Sequence, residues 1–152
     1  MFNVRVYGIL INDQNKVLVT DEYRNGREMT KFPGGGMEFG EGTIECIKRE
    51  AIEEFGQEID VLCHYYTTDF FQASAFDARQ QIVSIYYLIA TKEPFRPPVT
   101  TLKFDFKNTV EGAQTFRWIS LKDLSEEDLT FPIDKKVARM LMDALNKMLQ
   151  KN

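Results

Sequence analysis

The order of apolar and polar positions divides the chain into strand-length and helix-length segments. Residues 4–11 and 16–23 are β-rich and flank Asn12-Asp13-Gln14-Asn15, which predicts a hairpin. Asn25-Gly26 marks the next turn and leads to a short strand at 29–32. Pro33-Gly34-Gly35-Gly36 then breaks regular structure. Over 43–55 the period becomes helical, with Ile44, Ile47, Ala51 and Phe55 recurring on one stripe and Gly56 as the stop. Residues 59–71 and 81–91 read as two long strands that pair in a mixed sheet. Pro94, Pro97 and Pro98 mark an inserted excursion over 92–114, within which Leu102, Phe104 and Phe106 alternate as in a half-buried strand. A strand at 115–120 and a short acidic helix or turn at 121–129, with a solvated acidic face, follow. Asp134 caps a last helix whose stripe of Val137, Met140, Leu141, Ala144, Leu145, Met148 and Leu149 is expected to be core. The order β-β-β-α-β-β-β-α predicts an α/β (α+β) fold, an α/β/α sandwich with a mixed β-sheet between helices.

Composition narrows the class. A chain of 152 residues with 43% apolar content suits one domain, 1–152. Its apolar runs are strand-length, well short of the roughly 20 residues that cross a bilayer, and the start lacks the pattern of a secretory signal. A cytoplasmic location is expected. Cys46 and Cys63 read as reduced, buried thiols, and His64, the single histidine, as structural. A net charge of −4 argues against a nucleic-acid surface. It does not oppose a small anionic ligand bridged by a divalent cation.

The candidate chemistry lies on the 43–55 helix. With Glu50 at zero on a wheel of about 100° per residue, Glu53 falls at about 300° and Glu54 at about 40°. The three carboxylates share one face beside the apolar stripe. They repel one another, and hard divalent cations such as Mg²⁺ prefer such oxygen clusters. Arg49 stands beside them to orient or partly neutralise the acids. Upstream, the glycines offer bare backbone, so that a carbonyl can turn to a metal and amides can approach phosphate oxygens.

Taken alone, an acidic helix face is usually solvated and a glycine run is usually a turn. Together they form a longer pattern: Gly35, five residues, Glu41, seven residues, then Arg49-Glu50-Ala51-Ile52-Glu53-Glu54-Phe55-Gly56. At a background of roughly one in fifteen per fixed residue, seven matches arise by chance on the order of once in 10⁸ starting points. The pattern resembles the box of the Nudix hydrolase family. The surroundings, with Phe32-Pro33 before the box and Arg117-Trp118-Ile119 late in the chain, are similar to the MutT-like branch.

The resemblance implies hydrolysis of a nucleoside diphosphate linked to another group, with Mg²⁺ as cofactor and Mn²⁺ as its alternative. It implies Glu50 and Glu54 as metal ligands, Glu53 as ligand or base, the carbonyl of Gly34 or Gly35 as a backbone ligand, Arg49 as the orienting residue and Glu41 as an accessory carboxylate. Gln57 departs from the pattern, which has an aliphatic residue there, and this puts local packing in question. The general base is divided between Glu53 and a loop acid, Glu111, seven residues before Trp118. Gly36 is a candidate phosphate contact; Lys31 and Arg79 read first as solvent-facing, with phosphate contact the second reading, and Phe71 is a candidate stacking partner for a base. The first proline after Gly56 is Pro94, unlike the ADP-ribose subgroup. A nucleoside triphosphate or related derivative is therefore the expected substrate. A nucleotide sugar, a dinucleoside polyphosphate, or an inactive ligand-binding module are the alternatives. The 94–106 excursion is a place for a homodimer contact.

Overall fold

The computed structural model describes residues 1–151. Its elements are β1 (Phe2–Leu10), β2 (Lys16–Arg24), β3 (Arg27–Lys31), β4 (Gly34–Gly36), α1 (Thr43–Phe55), β5 (Ile59–Thr67), β6 (Gln81–Thr91), β7 (Gln114–Ser120), a 3₁₀ turn at Glu126–Asp128 and α2 (Pro132–Gln150). This is the expected mixed α+β class, with a mixed sheet and two helices. The chain divides into two compact units, one of Met1–Leu10 with Pro33–Arg96, the other of Ile11–Phe32 with the chain from Pro97 onward.

The first unit holds a four-stranded sheet in the order β4-β1-β6-β5. β1 runs parallel to β6, and the other neighbours are antiparallel. α1 lies against β4, β1 and β5, with Cys46, Ile47, Ala51 and Phe55 buried. Ile44, expected on the buried stripe, is exposed, whereas Cys46, outside that stripe, is buried. The second unit holds an antiparallel sheet in the order β3-β2-β7. Its core includes Val17, Leu18, Val19, Leu129, Val137 and Ala138.

Several expectations need correction. β1 and β2 do not form a hairpin; only the bridge Ile11↔Val17 survives, and each strand is central in its own sheet. The reason lies in successive buried positions, Ile9-Leu10 and Val17-Leu18-Val19. Such runs need cover on both faces, not the one-sided burial of a simple hairpin. The glycine run is not a break but the strand β4, antiparallel to β1 with Val6↔Gly35 as the middle pair. β5, expected over 59–71, ends at Thr67, after two register shifts, and not at Phe71. Leu102, Phe104 and Phe106 form no strand: Phe104 has φ 58°, and its amide donates to Asp21 Oδ2 at 3.1 Å.

α2 begins at Pro132, with Phe131 as its N-cap, and Asp134 is buried inside the first turn. A proline at the first helical position loses no hydrogen bond, and an acid there suits the helix dipole. The apolar stripe is core only as far as Leu141; Ala144, Met148 and Leu149 are exposed. Both cysteines are free, but only Cys46 is buried. Among the described residues no helix is long and apolar enough to cross a membrane.

Candidate active site

The site is built on α1 and the edge it covers. Gly42 precedes the helix and its amide donates to Glu45 Oε1 at 3.1 Å. Gly56 closes it in the left-handed conformation, φ 67°, with its amide donating to Ile52 O at 2.9 Å. Glycine is favoured at that C-terminal position because it carries no Cβ.

β4 is an edge strand. On its inner side it pairs with β1, with Met37 N donating to Val4 O and Gly8 N to Pro33 O. On its outer side, side chains of α1 supply the partners. Gly34 N donates to Glu54 Oε2 at 3.1 Å, and Arg49 Nη2 donates to Gly36 O at 3.0 Å. Between them the Glu50 carboxylate lies against Gly35 so closely that a Cβ there would overlap it. At Gly34 a Cβ would strike the Val6 carbonyl, and φ is 142°. The two glycines are thus required for different reasons, one by a carboxylate and the other by backbone.

Arg49 is the hub of the acids. Its Nε and Nη2 grip the two Glu41 oxygens at 3.0 and 2.7 Å, a bidentate pair. Its Nη1 reaches Glu50 Oε1 at 3.3 Å and Glu53 Oε1 at 3.2 Å, and lies 3.7 Å from Glu38. The hydrogen bonds from Arg49, then that from the Glu38 amide, hold the Glu41 carboxyl down at about 2. The same Glu41 contact raises Arg49 still further above its ordinary value. Burial pushes the neighbouring Cys46 thiol up to about 12.

Gly34, Gly35, Gly36, Glu41, Arg49, Glu50, Glu53 and Glu54 are therefore assembled in the first unit as a glycine edge faced by acids. One guanidinium stands among Glu38, Glu41, Glu50 and Glu53. Among the described residues no three His, Cys, Asp or Glu side chains converge as a ready-made cation cluster. The donors nonetheless fit a divalent cation: they are hard oxygens, negative in excess of Arg49, and Mg²⁺ usually completes its shell with water and substrate phosphate.

The remaining candidates are placed elsewhere. Phe71 is 73% exposed. Arg79 turns its guanidinium on Asp77, at 2.9 and 3.0 Å, and not on a box residue. In the second unit Lys31, expected to face solvent, is instead buried and pairs with Glu22 at 3.4 Å. Glu111, also there, accepts the Asn25 amide at 2.8 Å.

Gln57 resolves the packing question. It is buried, its Nε2 donates to Pro94 O at 3.0 Å and Glu93 O at 3.4 Å, and its Oε1 accepts the Arg96 amide at 2.9 Å. A polar staple thus stands where the pattern has an aliphatic side chain. Arg5 was not singled out by the sequence. It pairs with Gly36 in register, places Nη1 beside that glycine, and donates through Nε to Tyr7 Oη at 2.6 Å. Only the β1–β4 pairing reveals it.

The sequence model of the NUDIX domain matches residues 1–141. Nucleoside diphosphate-linked moiety X motif 6 of Mus musculus is 28% identical over 143 residues, covering 90% of this chain and 40% of that protein. The chain thus spans well under half the length of the curated relative it matches. A NUDIX hydrolase from Nitrosomonas europaea superimposes with a TM-score of 0.70 at 20% identity, covering 95% of this chain and 90% of that one. A MutT protein from Methanosarcina mazei Go1 does so with a TM-score of 0.65 at 18% identity, covering 96% of each chain. These structures are similar in fold. The match of the NUDIX model to nearly the whole chain shows that it belongs to the Nudix family, whose hydrolases act on phosphoric anhydride bonds and generally use divalent metals.

Proposed function

We propose that the chain is a Mg²⁺-dependent, MutT-like pyrophosphohydrolase that cleaves a nucleoside triphosphate or another nucleoside diphosphate derivative. The observation that carries this reading is the glycine edge, whose outward amide and carbonyl are taken by Glu54 and Arg49 while Glu50 lies against Gly35. Glu50, Glu53 and Glu54, with the carbonyl of Gly34 or Gly35, would hold the cation. When bound, Mg²⁺ or Mn²⁺ polarises phosphoryl oxygens and lowers the pKa of water.

The protein's own groups have distinct tasks. Arg49 orients Glu50 and Glu53 and, through Glu41, fixes the 37–42 loop. Glu53, at 56% side-chain exposure against 13% for Glu50, is the better placed of the two to take a proton from an attacking water. Glu111 is the alternative base outside the box. The Gly34–Gly36 edge carries no side chains, so phosphate oxygens can come close to its backbone. Lys31, Arg79 and the exposed ring of Phe71 are further candidate substrate contacts.

We read 1–152 as one domain, supported by a family match that runs through residues of both units. A cytoplasmic setting is supported by two free cysteines. Val99 and Leu102, exposed within the 94–106 excursion, offer a homodimer contact.

The test is release of phosphate or pyrophosphate from a panel of nucleoside triphosphates, nucleotide sugars and dinucleoside polyphosphates with Mg²⁺ or Mn²⁺. Turnover of at least one triphosphate that stops on chelation is expected. Turnover confined to nucleotide sugars or dinucleoside polyphosphates would replace the substrate assignment. Binding without turnover across the panel would make the chain a ligand-binding module.

A further inference from the structure

The C-terminal end of α1 carries a polar arrangement that the acid face does not use. Gln57 is 3% exposed, and its side chain bonds to one short segment: Nε2 donates to the carbonyls of Glu93 and Pro94, and Oε1 accepts the Arg96 amide. Within that segment the Phe95 ring meets Phe55 of α1 edge-on at 5.3 Å. A buried amide with its bonds made rigidifies what it holds. The aliphatic side chain that the box pattern has at this position could not hold backbone groups.

A cavity of about 300 Å³ lies there, lined by Ile52, Gly56, Gln57 and Glu58 at the helix end and by Lys92, Glu93 and Arg96 of the segment that follows β6. This volume is at the small end of the range for ligand sites, about 300–1,000 Å³. At about 100° per residue, Ile52 falls about 200° from Glu50, on the far side of α1. The cavity is therefore separate from the glycine edge.

Its charges do not all cancel internally. Lys92 Nζ lies 3.7 Å from Glu58 and 4.0 Å from Asp60. Arg96 Nη2 donates to Gly56 O at 3.1 Å, capping a carbonyl at the helix end. Among the described residues its Nε and Nη1 have no acceptor, and the Glu93 carboxylate has no cation. One positive and one negative group are thus left over, beside Ile52, which is 48% exposed, and a glycine without side chain. Dipole complementarity accounts for Arg96 at a helix C-terminus, but not for Glu93, which stands against the dipole where α1 has no basic residue in its last turn. A cation brought by a ligand would offset that disadvantage.

We propose that this cavity binds a free α-amino acid with an apolar side chain. The Arg96 guanidinium holds the carboxylate, Glu93 and the negative end of α1 hold the ammonium, and the apolar side chain covers Ile52. Both charges sit on one small molecule, which distinguishes it from a nucleotide and from either terminus of a peptide.

The test uses the full chain with L-leucine as probe, followed by backbone amide NMR shifts, without metal or nucleotide. Saturating shifts at Gly56, Gln57 and Arg96 are expected, with a Kd of about 1 mM or tighter. Leucine methyl ester lacks the carboxylate and N-acetyl-leucine lacks the ammonium; each is expected to bind at least about tenfold more weakly. Glycine, with no side chain to cover Ile52, is expected to be weaker by a similar factor. Arg96→Gln should bind leucine no better than the methyl ester, and Glu93→Gln no better than the N-acetyl form, which a merely structural role for either residue would not produce. Absence of saturation, shifts centred elsewhere, leucine and its blocked forms binding alike, or variants that keep the wild-type preference would overturn the proposal. Nucleotide hydrolysis enters no arm of this experiment, so its absence would leave the amino-acid site standing.

Discussion

Gly34 and Gly35 are adjacent and chemically identical, yet substitution should affect them in opposite ways. A methyl on Gly35 meets the far end of the Glu50 side chain, which can swing away; one on Gly34 meets the Val6 backbone at a positive φ. Gly35→Ala should therefore change stability by less than about 1 kcal/mol while sharply reducing hydrolysis, because Glu50 is displaced. Gly34→Ala should cost at least about 2 kcal/mol, a drop of roughly 4–8 °C in melting temperature. Thermal melts and rates measured on both variants decide this. Equal melting of the two would contradict the placement of β4.

Charge at the hub has a definite pH signature. The Glu41 carboxyl titrates at about 2 in the folded chain against an ordinary 4.5. Its contribution to stability is therefore complete above about pH 4.5 and is lost as pH falls through 2. Carbon NMR of the Glu41 carboxyl should show no titration at pH 4; a midpoint near 4.5 would break the Arg49 clamp. Cysteine chemistry gives a second residue-scale check. Cys46, buried with its thiol held up to about 12, should resist a disulfide reagent at pH 8, while exposed Cys63 reacts. One thiol per folded chain and two in denaturant is the expected count.

Among the elements, α1 was legible because its signals are local: a helical stripe, an acid face and a terminal glycine fall within a dozen or so residues. β4 was not, because a run of glycines has no strand propensity. Its pairing comes from β1 and its outer partners from Glu54 and Arg49, all distant in sequence. The parallel pairing of β1 with β6 was hidden for the same reason. Gln57 shows the opposite failure, a local departure that tertiary contacts make sensible. Gln57→Leu should strand the carbonyls of Glu93 and Pro94 and the amide of Arg96, at a cost of about 1–3 kcal/mol in urea unfolding. No loss would mean that apolar burial alone matters at 57. In α2 the periodicity continues past the point where burial ends. Met148→Gln should accordingly alter stability by no more than about 0.5 kcal/mol, and a larger loss would show that the exposed end is covered.

For the whole molecule, the fold class and the acid-bearing box could be read from pattern, whereas the division into two sheets could not. Periodicity reports which positions are buried, not which strand covers them. The buried pair in the second unit illustrates this. Arg117 grips both Asp21 oxygens, at 2.6 and 3.0 Å, and Asp21 also accepts Thr30 Oγ1 at 2.7 Å. Nothing local in the sequence marks Asp21 and Arg117, 96 residues apart, as partners.

The acids of α1 are proposed to serve metal-dependent cleavage of a nucleoside diphosphate derivative. The direct measurement is the Mg²⁺-dependent hydrolysis rate of wild type, Glu53→Gln and Glu54→Gln at matched melting temperatures. Wild-type turnover that chelation abolishes is expected, with a loss of at least about 100-fold in each folded variant. Turnover at the wild-type rate in both variants would contradict it.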